Sequence, residues 1–109
     1  MKKILTLSAL CLLFLFQYCG TAKKAQATNA VSYNQDVHPI IMNSCSPCHT
    51  GGKQKSLNNY AAASGEIDEI LTRIQKNPGE KGFMPFRHDK LPDSTIAVFV
   101  RWKEAGTPE

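Results

Sequence analysis

Past residue 27 the chain is short of net charge, cysteine and strand periodicity, and each shortage narrows what it can be. Of 13 Lys and Arg residues, four (Lys2, Lys3, Lys23 and Lys24) precede residue 28, whereas all 9 acids follow it, so nine bases face nine acids over 28–109. The formal +4 of the whole chain therefore belongs to its N-terminal end. Nothing here forms a basic surface able to neutralise a row of phosphates, which argues against nucleic acid as a partner. Of 4 cysteines, Cys11 and Cys19 lie in the N-terminal segment, leaving Cys45 and Cys48. A bond between those two would close a tiny loop and add little stability through chain entropy. No segment alternates polar and apolar residues for any length and no internal repeat is present, so the expected class is all-α with long loops.

What the N-terminal end does have is an export pattern. Lys2 and Lys3 lead into "ILTLSALCLLFLFQY", a charged n-region and an apolar h-region too short for a confident membrane span. Residues 1–19 are read as a signal peptide or lipoprotein leader, which puts the remainder on the periplasmic side. Cys19 follows the apolar run directly, as a lipidated cysteine does, although Phe16, Gln17 and Tyr18 stand where a leucine and small residues are usual. Acylation of Cys19 would tether the chain to a membrane surface. The competing site is cleavage after Ala27, where "AQA" fits the small-x-small rule. Residues 20–30, "GTAKKAQATNA", are polar and aperiodic and read as a flexible linker. That leaves 31–109, about 80 residues, as one domain, a size that needs a staple beyond its own core.

Helical spacing organises this domain. "NQDVHPIIMNSC" predicts a short helix with Asp36 as N-cap and Pro39 in its first turn. "SLNNYAAAS" predicts a helix of one or two turns. Gly65 then opens "EIDEILTRIQK", with Ile67, Ile70, Leu71 and Ile74 on one apolar stripe, and Asn77-Pro78-Gly79 stops it. Residues 77–92 are an irregular loop. A last helix starts at Asp93 as N-cap and ends before Gly106, burying Ile96, Phe99, Val100 and Trp102.

The chemistry is concentrated in "CSPCHTGG", residues 45–52. A structural zinc site needs four ligands, and adjacent Cys and His seldom both reach one tetrahedral ion; no second pair of cysteines is at hand. A thioredoxin-type dithiol sits at a helix start near a βαβ pattern, and here a helix precedes the motif. C-x-x-C-H uses every residue: Cys45 and Cys48 add to the vinyl groups of a haem, and His49 ligates its iron through Nε2. Attachment takes place outside the cytoplasm, in keeping with the export pattern. One covalent haem c also supplies the staple that a domain this small requires. Met84, in "GFMPF" well downstream, is the candidate distal ligand, its soft thioether favouring reduced iron. His88, in the charged run "RHDK", is a weaker candidate; His38 and Met42 read as helix residues, the first partly exposed and the second packing.

With "CSPCH", the later "MP" loop and a final aromatic-bearing helix, the chain resembles a class I monohaem cytochrome c. "YNQDVHPIIMNSCSPCH" with "VRWKEAGTP" is similar to small bacterial, planctomycete-type cytochrome c domains, over roughly residues 31–108. The resemblance implies a fold whose first and last helices cross around the haem, with Cys45, Cys48 and His49 binding it and Met84 completing the iron coordination. One departure is that the first helix lacks the glycine many members place at that crossing.

Iron bound by both His49 and Met84 has no open position for substrate, so the expectation is one-electron transfer between a redox donor and an acceptor, not enzymatic turnover. The alternative is a haem-based gas-binding or sensor module, which requires Met84 to be off the iron. Lys53, Lys55, Lys81, Arg87 and Lys90 on the loops, against Glu80 and Asp89, suggest an acidic partner.

Overall fold

The computed structural model describes residues 30–109; the export segment, Cys11, Cys19 and nearly all of the linker lie outside the described residues. The secondary structure is helical, and no strand occurs among the described residues. A π-helical turn, Tyr33–Val37, runs directly into α1 (His38–Ser44), followed by α2 (Tyr60–Gly65), α3 (Ile67–Ile74) and α4 (Asp93–Glu104). No helix among the described residues is long and apolar enough to cross a membrane.

The first helical segment starts earlier than Asp36. Ser32 is extended and its Oγ accepts the Gln35 N–H at 3.3 Å, while the Ser32 N–H donates to Asp36 Oδ2 at 2.9 Å. This is the reciprocal logic of a capping box, with the acid moved to i+4 by the wider π turn. Asp36 therefore closes the cap from inside the segment and does not begin it. Pro39 falls in the first turn of α1, just after the His38 N–H closes the π turn on Tyr33 O.

Asn59 caps α2, its Oδ1 accepting the Ala62 N–H at 2.9 Å. Gly65 ends α2 and does not open the next helix; Glu66 joins the two. In α3 the expected stripe, Ile67, Ile70, Leu71 and Ile74, is buried, with Asp68 and Glu69 in the first turn and Arg73 in the last, as the helix dipole favours. Asp93 is the first residue of α4, Pro92 holds the cap position, and no side chain bonds the open N–H groups. Ile96, Phe99 and Trp102 are buried, whereas Val100 is half-buried. Gly106, at φ +83°, ends the helix: its N–H reaches Lys103 O at 3.0 Å and the Thr107 N–H reaches Trp102 O at 2.9 Å. These are the two bonds of a Schellman motif.

The core lies where the π turn and α3 each pack on α4. Val37, Ile41, Phe99 and Trp102 are its fully buried side chains, each contributing about 1.5–3 kcal/mol by removal from water. Around Trp102 the rings of Tyr33 and Tyr60 lie at centroid distances of 5.9 and 6.5 Å, and His38 sits 5.3 Å from Tyr33. The segment after α4 then closes over this cluster. Pro108 O accepts both the Tyr33 N–H at 2.9 Å and Trp102 Nε1–H at 2.8 Å, and Thr107 O accepts the Tyr60 hydroxyl at 2.9 Å. The Tyr33 hydroxyl has no partner, and burial, reinforced by the Glu109 carboxylate, raises its pKa.

Candidate functional site

The C-x-x-C-H motif occupies the turn that ends α1. Cys45 is the cap residue, its N–H still bonded to Ile41 O at 2.9 Å, and the Ser46 N–H shares that acceptor at 2.8 Å. Cys45 O then accepts the N–H groups of Cys48 at 3.1 Å and His49 at 2.9 Å. One carbonyl thus draws the turn tight and keeps Cys45, Cys48 and His49 on a single loop of backbone. Ser46, between the cysteines, is buried, and its hydroxyl donates to Met42 Sδ at 3.4 Å. Met42 itself is 45% exposed, so it covers the turn more than it fills the core.

The two thiols differ. Cys45 is half-buried against the core cluster, and burial pushes its thiol up to about 11; Cys48 is exposed. Neither is in a disulfide.

His49 is oriented by the loop that follows it. Gly51 and Gly52, at φ +111° and +78°, reverse the chain so that Leu57 is buried and its N–H reaches His49 O at 3.2 Å. The same reversal puts Lys55 O 3.0 Å from His49 Nδ1. A carbonyl only accepts, so Nδ1 donates here, and the tautomer this selects places the ring's lone pair on Nε2. The Lys55 side chain is in turn ion-paired with Glu66, between α2 and α3.

Met84 lies on the loop after α3, half-buried at the edge of the same apolar cluster that Cys45 touches. Its N–H donates to Arg73 O at 3.3 Å, and the bond to Pro85 is cis. Around it Phe83 is buried, Phe86 is 64% exposed under the Arg87 guanidinium at 5.1 Å, and His88 is exposed. Residues 78–83, with Met84, Phe86 and His88, line an open concavity of about 510 Å³. His38 is committed to the aromatic cluster and is half-buried there.

Among the described residues no group of three His, Cys, Asp or Glu side chains is placed to hold a metal ion, so a structural zinc centre lacks its ligand set. The donor types are those a haem takes: two unpaired thiols on one turn, an imidazole whose Nδ1 is occupied by a carbonyl, and a thioether that, like Cys45, packs against the core cluster. Sequence reasoning located these four residues but missed Lys55 O, Glu66 and Arg73 O, which act through backbone geometry or a distant pairing. No family model, curated protein or solved structure matches the chain.

Proposed function

We propose that residues 31–109 form a small class I cytochrome c-type domain carrying one covalent haem c, and that it passes single electrons between redox proteins on the periplasmic side. Cys45 and Cys48 would hold the group through thioethers, and His49 Nε2 and Met84 Sδ would ligate its iron. The observation that carries this reading is the 3.0 Å contact of His49 Nδ1 with Lys55 O, which leaves Nε2 as the ligating atom immediately beside two unpaired thiols. Contact between the π turn and α4 is what a fold with crossing first and last helices requires.

The bound haem would supply a one-electron iron couple. The chain's own residues do the rest. The Lys55 carbonyl fixes the imidazole tautomer and ring plane, and hydrogen bonding at Nδ1 raises its basicity as a ligand. Met84, a half-buried soft donor, would favour the reduced state of a bound iron and would keep a diatomic gas from binding it. Acylation of Cys19, outside the described residues, would keep the domain at a membrane surface.

The test is an absorption spectrum of protein produced with a haem-attachment system, oxidised and reduced, beside Met84→Ala. A low-spin spectrum with an iron–sulfur charge-transfer band that disappears in the variant is expected. A high-spin spectrum that takes carbon monoxide readily and is unchanged by Met84→Ala would move the protein to ligand binding.

A further inference from the structure

The loop that carries Met84 is tied at three places to the last turn of α3 and to Lys76 just past its cap. The Met84 N–H donates to Arg73 O at 3.3 Å, Lys76 Nζ donates to Lys81 O at 2.9 Å, and Arg73 Nη1 reaches Gly82 O at 3.5 Å. The third contact is long for a hydrogen bond, but the guanidinium making it is not loose. Its Nε and Nη2 are both held by Glu69 Oε1, at 2.7 and 2.6 Å, one helical turn back. That pairing spends the Nε/Nη2 edge of the guanidinium on Glu69 and leaves Nη1 for the loop. Gly82 lies directly under the two cations: at φ +86°, a Cβ added there would meet Arg73 Nη1 at 3.2 Å and Lys76 Nζ at 3.8 Å. The C-terminal end of α3 attracts cations through its dipole, yet here both also serve carbonyls of the neighbouring loop.

We propose that Glu69, Arg73 and Lys76 form a clasp that positions Met84, with Arg73 as its central positioning residue. The proposal rests on Met84 being the distal ligand. Without the clasp the loop keeps its covalent path but loses the register that holds the thioether in place, so the ligand becomes displaceable.

Two readouts test it on the haem-loaded protein. Arg73→Gln should speed amide exchange at Met84 about tenfold, while exchange of the Tyr33 N–H, bonded to Pro108 O and to no residue of the clasp, stays unchanged. Imidazole should displace Met84 at several-fold lower concentration, followed by the charge-transfer band, and Arg73→Lys should recover part of both effects. Glu69→Gln should reproduce them in weaker form. Unchanged Met84 exchange together with an unchanged imidazole midpoint would overturn the clasp, as would equal acceleration at Tyr33, which reports general loosening. If Met84→Ala leaves the spectrum untouched, it is the assignment of Met84 that has failed, and Met84 amide exchange alone then judges the clasp.

Discussion

Two ends of the molecule solve the problem of a small core differently. At the aromatic end, Tyr33, Tyr60 and Trp102 pack on one another, and two consecutive carbonyls, Thr107 and Pro108, accept bonds from all three. At the Met84 end, the chain from 77 to 92 is held by side chains reaching for backbone: Lys76 to Lys81 O, Arg73 to Gly82 O, Glu80 to the Asn77 N–H. The first arrangement joins buried rings to part-buried bonds, so losing one of them costs more than losing an exposed contact. The second is mostly wet, so each contact is weak and the loop keeps a sharp position only through several at once. The lesson is that one apolar cluster is closed by buried rings on one side, while the loop bearing Met84 is fastened to it by side-chain-to-backbone contacts.

That contrast can be broken on either side. Trp102→Ala should have the largest effect, about 3–5 kcal/mol, because it removes a fully buried ring and orphans one of two bonds to Pro108 O; guanidinium unfolding would measure it. Gly82→Ala should cost about 1–2 kcal/mol from the left-handed backbone and, under the proposed haem ligation, should make Met84 easier to displace than in the Trp102 variant at matched stability. Tyr33→Phe should be neutral or slightly stabilising, within about 1 kcal/mol, since the hydroxyl removed has no partner while the backbone N–H remains. The sign with pH is specific. The folded pKa of Tyr33 lies above the ordinary 10.0, so the folded chain keeps the proton that the unfolded chain releases, and stability falls as pH rises through that range. Tyr33→Phe should flatten that alkaline loss in an unfolding series from pH 9 to 11. Lys103→Ala should do least, within about 0.5 kcal/mol at moderate salt, because Lys103 and Asp68 are both largely exposed.

Much of this was legible residue by residue. The stripe of α3 follows directly from 3.6-residue spacing, and Gly106 marks the end of α4 because only glycine takes φ +83° without strain. Cys45, Cys48, His49 and Met84 are legible because their side-chain chemistry is unusual. What sequence does not display is which carbonyl a donor will find. Lys55 O under His49, Arg73 O under Met84 and Pro108 O under Trp102 are backbone acceptors that any residue would provide. The start of the first helical segment was misread for a related reason: a π turn shifts Asp36 out of the usual capping register, so Ser32 and Asp36 cap from i and i+4.

The carbonyls of Thr107 and Pro108 have a consequence for the order of events in synthesis. Tyr60 and Thr107 are 47 positions apart, so the aromatic end closes only after nearly the whole domain has been delivered. In a chain made from its N-terminus, residues 45–49 emerge well before Trp102 and Pro108. During that interval the π turn lacks α4 to dock on, so the two thiols and the imidazole are presented before the aromatic end can shut.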